Sequence, residues 1–284
     1  MKIILSRKGF DSSAGGCPSP ILPDGRLLSL PIPDQQSPVT YDDINLPTNI
    51  VSDLTGNKIS GRDGAHLDPD VVPESTKKRQ AGWRPLFGQF GAAQSHLRNQ
   101  GVGPGDLFLF FGLFRHAEYK DGRWQWSKTP PKHVLWGWLQ IAEIWPAETT
   151  RLPRWARSHP HAGRGDLAGN TLYLARRQLE LPGLAHPLPG AGAFPLFQAA
   201  LQLTAPSAHS VSQWRLPRWF YPSQGRPPLS YHQRPERWQQ KPRWCELQAA
   251  ARGQEFVLDS AQYPQAKRWV RQLISNHSAD RKAC

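Results

Sequence analysis

The chain has 284 residues and a formal net charge of +13. Its 38% hydrophobic and 20% charged residues exclude a disordered polyelectrolyte, and no apolar stretch is long enough to span a membrane. Three cysteines without a CxxC motif argue against a disulfide framework or a thiolate zinc site. From the length and the composition we expect one cytoplasmic domain over residues 1–284.

The first strand and the loop after it predict a phosphate- or substrate-binding site. Residues 2–5 (KIIL) read as a short buried strand, and a polar, glycine-rich loop follows. Glycines let a ligand approach the backbone, and cations and hydroxyls can bind phosphate. The candidates in this loop are Ser6, Arg7, Lys8, Ser12, Gly15 and Gly16. Asp11 could act as a catalytic base or bind a ribose hydroxyl. The glycine spacing fits neither a Walker A loop nor a Rossmann fingerprint, and the alternative is a structural turn.

Short elements and long loops are expected next, because the chain has 28 prolines and proline interrupts helices. Residues 21–34 predict a tight hairpin with Asp24-Gly25 as its turn. Residues 35–80 predict irregular loops with short helical turns. Residues 86–99 predict one amphipathic helix, since their apolar side chains recur at helical spacing.

The centre of the chain predicts a buried hairpin. An apolar strand follows the turn at 104–105, and further strands are expected at 124–126 and 133–144. Gly112 and Gly137 inside these runs predict bulges or a close backbone approach. The pattern resembles the small barrels of the PUA and ASCH class, and that resemblance implies binding of RNA or modified bases. The alternative is an ordinary buried hairpin.

The C-terminal half predicts three strands and a helix. The strands are expected at 170–176, 200–204 and 254–259, and an amphipathic helix at 264–277. Together with the earlier elements they predict a mixed, strand-rich α+β single domain. It would have a PUA-like central barrel or hairpin region and a C-terminal amphipathic helix.

Three histidines and one glutamate are candidates for chemistry. His159 and His161 could share one side of a strand, but a proline separates them and no HxxxH motif or cysteine partner is near. We therefore expect no metal site, substrate contacts for His159 and acid–base chemistry for His232. Glu255 begins a strand built for burial, and burial favours the protonated form of a carboxyl, so it is a candidate general acid or base. The alternative is an ion pair with an arginine such as Arg252.

Positive charge concentrates toward the C-terminus. Residues 151–284 carry 19 Lys and Arg against 7 Asp and Glu, and such a field favours anionic partners, most often nucleic acid. Between Trp214 and Arg252, cations interleave with aromatic residues that include Trp219 and Tyr231. This composition suits phosphate contacts and base stacking. The alternative is that the tryptophans pack a loop over the core.

Sequence blocks along nearly the whole chain resemble the third family of nucleotide modification associated domains. The opening block is SRKGFDSSAGGCPSPI followed by LPDGRLLSLPIPD. The later blocks are HLDPD (66–70), DLFLFFGLFR (106–115), HVLWGWLQIAEIW (133–145), HPHA (159–162), NTLYLA (170–175), WRLPRWF (214–220), LSYH (229–232) and RGQEFVLD (252–259). The resemblance implies a phage or bacterial system that modifies DNA bases, with nucleic acid or nucleotides and other proteins of that system as partners.

The functional expectation is an enzyme that modifies a nucleotide or a DNA base by group transfer or a related step. Asp11, Glu255 and His232 would be its catalytic residues. One alternative is a non-catalytic PUA-like reader of modified bases, and another is a structural subunit of a modification complex. A minor alternative is ADP-ribosyltransferase-like activity on DNA, suggested by the glutamine before Glu255. The sequence identifies no cofactor and leaves the base and the donor open.

Overall fold

A large mixed sheet organises the computed structural model, which describes residues 1–223, 225–251 and 253–278. In chain order the strands are β1 (Lys2–Arg7), β2 (Ser19–Ile21), β3 (Ile32–Pro33), β4 (Ala65–His66), β5 (Leu86–Gln89), β6 (Leu107–Lys120), β7 (Arg123–Trp126), β8 (Lys132–Pro146), β9 (Thr171–Ala175), β10 (Ala191–Ala193), β11 (Gln213–Pro217), β12 (Trp238–Gln240), β13 (Trp244–Gln248) and β14 (Glu255–Asp259).

The helices are short, as the proline content predicts. The α-helices are α1 (Ile50–Thr55), α2 (Gly91–Asn99) and α3 (Gln265–His277). Single 3-10 turns occur at Tyr41–Asp43, Pro73–Ser75, Arg154–Ala156, Ala199–Leu201, Arg218–Phe220, Pro235–Arg237 and Ser260–Gln262. None of the helices in the described part of the chain combines the length and the apolarity that crossing a membrane requires.

The main sheet joins the beginning and the end of the chain. Its strands follow the order β14-β1-β6-β8-β9-β5. β1 pairs with β6 in parallel and with β14 in antiparallel orientation, so that Ser6 lies opposite Glu255. β1 and the first half of β6 are buried on both faces, and this explains why both read as continuous apolar runs. The register therefore brings the predicted N-terminal loop and Glu255 to one place.

The predicted PUA-like barrel is not confirmed. β6 and β8 form the expected hairpin, but β6 also pairs with β1, and β8 also pairs with β9. The hairpin is thus the middle of a wide sheet, and within the described residues the sheet does not close into a barrel. Local pattern could identify the hairpin, but it could not show which strands lie on either side of it.

Both glycines predicted to mark irregularities in the hairpin do so. Phe110 lies opposite Gly137 and Phe111 opposite Leu135, so Trp136 is the extra residue of a bulge. At Gly112, an added Cβ would lie 2.6 Å from the carbonyl oxygen of Lys8. The close approach of β6 to the N-terminal loop therefore requires a residue without a side chain.

Two predicted elements differ in the structure. The helix predicted over 86–99 is confirmed only from Gly91. Residues 86–89 are strand β5, paired with β9. Gly91 has a φ of +61°, and this left-handed conformation separates the strand from the helix. The strand predicted over 200–204 is instead a 3-10 turn followed by isolated bridges at Gln202 and Thr204.

The predicted turn at Asp24-Gly25 and the predicted C-terminal helix are confirmed, whereas the sheet in the basic tract is not among the predicted elements. The backbone turns at Asp24-Gly25, where the Leu22 N–H donates to the Arg26 carbonyl. The C-terminal helix forms as α3, and Ala266, Val270 and other residues of its apolar face are buried. The basic tract forms a second sheet, of order β11-β13-β12.

Candidate functional site

Glu255 is the centre of a buried polar cluster. It is the first residue of β14 and is 1% exposed. Its Oε1 accepts hydrogen bonds from Ser6 Oγ at 3.0 Å and Gln89 Nε2 at 2.6 Å, and lies 3.3 Å from Lys8 Nζ. Its Oε2 is buried and has no hydrogen-bond partner among the described residues. One carboxylate oxygen is therefore fully bound, while the other is a buried acceptor without a donor among the described residues.

Lys8 is the first residue after strand β1, and its ammonium reaches Glu255 on the neighbouring strand β14. The Lys8 N–H donates to the Phe111 carbonyl, and its ammonium lies 4.6 Å from the centre of the Phe87 ring. Its side chain is 10% exposed and that of Glu255 is fully buried. Burying an ion pair costs desolvation energy that the pairing often fails to recover. Such pairs are therefore weak evidence for stability and are frequent at functional sites.

Asp68 forms a second polar centre beside the first. Its side chain is 4% exposed, and its Oδ1 accepts the Gly88 N–H at 2.6 Å. The Nε2 atoms of His159 and His161 lie 3.3 Å and 3.8 Å from its two oxygens. Burial alone raises the pKa of Asp68, but the contact with His159 and the positive charge of Lys8 hold it well below its usual range. Asp68 is therefore an anion that lies close enough to the Lys8 ammonium to be attracted by it.

Two of the histidines around Asp68 are oriented by partners on their other nitrogen. The Nδ1 of His161 lies 2.7 Å from Asn170 Oδ1, and the Nδ1 of His66 lies 2.8 Å from Asp34 Oδ2. Burial lowers the pKa of His161 to about 4, so this ring is neutral at pH 7. One ligand atom from each of His66, Asp68 and His161 lies within 4.8 Å of the others. These three residues could hold a metal ion.

The segment Phe87–Phe90 connects the two polar centres. Phe87 packs against the Lys8 ammonium, and Gly88 donates to Asp68. Gln89 donates to Glu255. A Cβ on Gly88 would lie 2.3 Å from the His161 ring, so this position needs glycine. Strand alternation sends neighbouring side chains to opposite faces, which is why one short strand can serve both centres.

Exposed aromatic rings flank this buried chemistry. Phe90 is 42% exposed and its ring lies 5.8 Å from that of His161. Tyr231 is 41% exposed and its ring lies 4.3 Å from that of His96, whose Nε2 is hydrogen-bonded to Ser230 Oγ. Burial and the nearby charge of Glu255 both raise the pKa of Tyr231. The protein keeps two large apolar rings in solvent beside its most buried charges.

A cavity of about 710 Å³ opens next to Asp68. Its lining includes Gly9, Asp68, Trp83, Trp136, Trp138, Arg26, Arg84, Arg176 and Arg177. Trp136 Nε1 is buried without a hydrogen-bond partner among the described residues. Burial lowers the pKa of Arg84, and the charge of Arg177 lowers it further, while the charge of Glu143 opposes this as the smallest of the three effects. Aromatic walls and crowded guanidinium groups suit an anionic, ring-containing ligand.

Five residues predicted from the sequence meet at this site. Ser6, Lys8 and Glu255 form the first centre, His159 contacts Asp68 in the second, and Tyr231 lies at the surface above Glu255. The alternative partner for Glu255, Arg252, lies outside the described residues. The ion pair that the structure describes for Glu255 is with Lys8.

The other residues of the N-terminal loop have local partners instead. Arg7 donates to the carbonyls of Ala250 and Ala251, and burial lowers its pKa although Asp11 opposes that effect. Asp11 Oδ1 accepts from the Ser13 N–H and hydroxyl and from the Ala14 N–H, which closes a tight turn.

Two glycines and a serine complete that turn. Ser12 and Gly16 are exposed, and a Cβ on Gly15 would lie 2.5 Å from the Phe10 ring. Gly15 and Gly16 both have positive φ. The turn thus needs these glycines for its own backbone conformation. The polar side chains of the loop do not converge, because Lys8 reaches Glu255 whereas Asp11 bonds within the turn itself.

His232 and Trp219 are held in the packing of the core. His232 is fully buried; its Nδ1 lies 2.7 Å from the Ser230 carbonyl, and its Nε2 accepts the Ala250 N–H at 3.0 Å. Trp219 stacks on Phe220 and contacts Trp269 of α3. Both ring nitrogens of His232 are occupied, and Trp219 anchors the C-terminal helix.

Sequence reasoning missed three central residues, which are Gln89, Asp68 and His66, and it predicted no metal site at His161. HLDPD and HPHA are blocks of the family resemblance, but nothing in their spacing indicates that residues 66–68 meet residues 159–161. Gln89 was missed because residues 86–99 read as one helix. The available signal was the pair Gly88-Gln89 and a second glycine two residues later, in the run LFGQFG.

The comparisons with known proteins give one positive result. The sequence model of the family described as nucleotide modification associated domain 3 matches residues 2–259 of the 284 in the chain. No curated protein and no solved structure matches. The matched range includes every residue of both polar centres and both exposed rings.

Proposed function

The chain belongs to the nucleotide modification associated domain 3 family, and on that premise we propose that it is an enzyme that modifies a base, either in a nucleotide or in DNA. The observation that carries the proposal is the unpartnered, buried Oε2 of Glu255 beside the Lys8 ammonium. A charged pair kept out of water, with one acceptor free, fits a reaction centre better than a structural contact.

Glu255 is proposed as the general base or hydrogen-bond acceptor for an N–H or O–H group of the substrate. Ser6 and Gln89 fix its position through Oε1, which leaves Oε2 with one orientation. Lys8 would offset negative charge that develops during the reaction. Fixed positioning of this kind contributes to catalysis because little reorganisation is needed when the substrate reacts.

Phe90 and Tyr231 are proposed to hold the base. Each is more than two-fifths exposed and lies at the edge of a buried polar centre. Stacking on exposed aromatic rings is the general way in which proteins bind an unpaired base. A base in duplex DNA would have to leave the stack to reach this site.

The cavity next to Asp68 is proposed to hold a second substrate that donates the transferred group. Arg84 and Arg177 are close enough to raise each other's electrostatic energy, and an anionic group between them would relieve that repulsion. Trp136 Nε1 could donate to such a ligand. A nucleotide-like donor has the anionic and ring-containing parts that this lining favours.

The test is mass spectrometry of nucleosides from cells that express the protein together with its neighbouring genes. We expect a modified nucleoside with the active chain and none with Glu255→Gln, which keeps the size of the side chain and removes its charge. Glu246→Gln is the matched control, because Glu246 lies in β13 and is only half-buried. The mass of the new nucleoside identifies the transferred group, including an ADP-ribosyl group.

A nucleoside profile that is the same for all three chains would contradict the enzyme. Binding of modified DNA by the purified protein would then favour a reader. In that case Phe90→Ala and Tyr231→Ala would weaken binding, while Glu255→Gln would change affinity only modestly.

A further inference from the structure

We infer that His66, Asp68 and His161 bind one divalent transition-metal ion. The inference does not rest on the proposed function, since it follows from the hydrogen bonds around these three side chains. His66 lies at the end of β4, His161 lies in the loop before β9, and Asp68 lies between β4 and β5. Residues far apart in sequence thus supply a compact set of two nitrogens and one carboxylate.

The distances suit a single ion after a small adjustment. One ligand atom from each residue lies within 4.8 Å of the others, and His161 Nε2 is 3.8 Å from Asp68 Oδ2. Bonds of about 2.1 Å in a tetrahedral site place ligand atoms about 3.4 Å apart. The ligand atoms therefore need to approach one another by at most about 1.4 Å, which rotation of the rings can supply.

Hydrogen bonding leaves the ligand nitrogen of His161 without a proton. Asn170 Nδ2 donates to the His161 carbonyl at 2.8 Å and to the Arg164 carbonyl at 3.3 Å, so Asn170 Oδ1 is the acceptor for the ring. The His161 proton therefore lies on Nδ1, and the lone pair of Nε2 faces the Asp68 carboxylate. Two electron-rich atoms facing each other in a buried site attract a cation.

His66 is oriented in the same way by a carboxylate. Its Nδ1 lies 2.8 Å from Asp34 Oδ2, and Asp34 is also 3.5 Å from the Arg164 guanidinium. The Nδ1–H of His66 donates a hydrogen bond to the Asp34 carboxylate, and this leaves the lone pair of Nε2 free to bind a metal ion. A histidine held by a carboxylate through its other nitrogen is the usual arrangement around protein-bound zinc.

His159 has the opposite tautomer, and its Nε2 lies beside Asp68 without forming a hydrogen bond within the described residues. Its Nδ1 accepts the His161 N–H at 3.3 Å, so its proton lies on Nε2, which is 3.3 Å from Asp68 Oδ1. The same Oδ1 accepts from Gly88. Within the described residues no hydrogen bond reaches Asp68 Oδ2. The carboxylate therefore presents one occupied oxygen and one free oxygen, and the free one faces His161.

The donor set selects the class of ion. Two imidazole nitrogens and one carboxylate favour Zn²⁺, Fe²⁺, Co²⁺ or Mn²⁺ over Mg²⁺ and Ca²⁺, which prefer oxygen ligands. Three protein ligands also leave a coordination position open for water or a substrate. The open position would adjoin the cavity that Asp68 lines.

The experiment measures Zn²⁺ and Co²⁺ binding to full-length protein stripped with a chelator, by calorimetric titration and by the visible absorption of bound Co²⁺. We expect one ion per chain, lost in His66→Gln and His161→Gln. The positioning variant Asn170→Ala should keep the stoichiometry but bind about 10–100-fold more weakly. His96→Gln is the control; its ring contacts Tyr231 and Ser230 and should leave metal affinity unchanged.

Circular dichroism and thermal unfolding of the stripped variants establish that they are folded, and His66→Gln is the most secure because His66 is only half-buried. Failure of the stripped wild-type chain to take up Zn²⁺ or Co²⁺ overturns the inference, as does wild-type affinity in His66→Gln and His161→Gln. Metal binding without a modified nucleoside would leave the site intact and contradict only the proposed function.

Discussion

Gly88 is the residue at which the two polar centres depend on a missing side chain. Its N–H binds Asp68, and the His161 ring occupies the place of its Cβ. Gly88→Ala should therefore destabilise the fold by about 1–3 kcal/mol, because the ring must move within a packed site. Urea unfolding at pH 7 measures the change.

Gly103→Ala is the matched control for this effect. A Cβ there meets nothing within 4 Å and the residue has an ordinary φ. Alanine should therefore leave stability unchanged or raise it by a few tenths of a kcal/mol through the unfolded state. Equal losses for the two variants would show that the His161 contact is not the cause.

The ion pair between Lys8 and Glu255 predicts a strong coupling between two residues. Lys8→Met leaves a buried carboxylate without its cation, and breaking such a pair costs about 3–5 kcal/mol. Adding Glu255→Gln removes the uncompensated charge, so the double variant should be more stable than Lys8→Met alone. A double-mutant cycle by urea unfolding measures the coupling, which should be about 1–3 kcal/mol. Additive changes would mean that the pair contributes no such interaction.

At the scale of elements, α3 is held by its apolar face. Ile274 is fully buried, while Lys267 on the same helix is exposed. Ile274→Ala should cost about 2–5 kcal/mol, because it removes buried methyl groups and leaves a cavity. Lys267→Ala should lie within about 0.5 kcal/mol of the wild type. Thermal or urea unfolding distinguishes the two, and a similar loss in both would mean that the helix is not docked as the structure shows.

Elements with strong periodicity were predictable from the sequence. β1, β6, β8, β9, β14 and α3 carry apolar patterns that local physics is sufficient to interpret. The run at 86–90 was misread because its apolar spacing fits a helix as well as a short strand, and pairing with β9 decides between them. The barrel failed for a related reason, since the neighbours of a hairpin are set by strands far away in sequence.

The site was predictable only where its residues lie beside a strong local signal. Ser6, Lys8 and Glu255 stood out as polar residues at strand ends, and the sheet register then placed them together. Asp68, His66 and His161 meet through loops whose course depends on tertiary packing. Their spacing of about 90 residues carries no periodicity that a sequence pattern could reveal.

For the whole molecule, buried histidines predict acid sensitivity. Burial lowers the pKa of His232 to about 4 and, together with the Arg7 charge, that of His133 to about 3. Both values lie below the usual value of 6.5, so the unfolded chain binds more protons as the pH falls. The stability that these two neutral histidines contribute is fully present above about pH 6.5. It falls toward pH 4 by about 1.4 kcal/mol per pH unit for each histidine.

Urea midpoints measured between pH 7 and pH 4 test this dependence. His232→Asn should be less stable at pH 7 and should show a shallower loss as the pH falls. His209→Gln should keep the full pH dependence, because His209 is exposed. A midpoint that does not change between pH 7 and pH 5 would contradict the prediction.

The uneven charge of the whole chain predicts salt-dependent binding of nucleic acid. The net charge is +13, and residues 151–284 carry 19 Lys and Arg against 7 Asp and Glu. In the second sheet most aromatic rings pack inward, with Trp214 fully buried and Trp238 5% exposed. Arg218, Arg234 and Arg243 of that region are exposed, and phosphate contacts rather than base stacking would dominate there.

Arg218 and Arg243 are the best test of this field. Both are exposed, and Arg218 donates to the Pro242 carbonyl, which places it beside Arg243. If both contact phosphate, each change to alanine should reduce the slope of log K against log salt by about 1. Fluorescence anisotropy with labelled duplex DNA over a series of NaCl concentrations measures that slope. Arg123→Ala, on the exposed β6–β7 hairpin outside this region, should leave it unchanged. Equal slopes in all variants would place the DNA contacts elsewhere, and the exposed rings at the Glu255 site would then be the first alternative to examine.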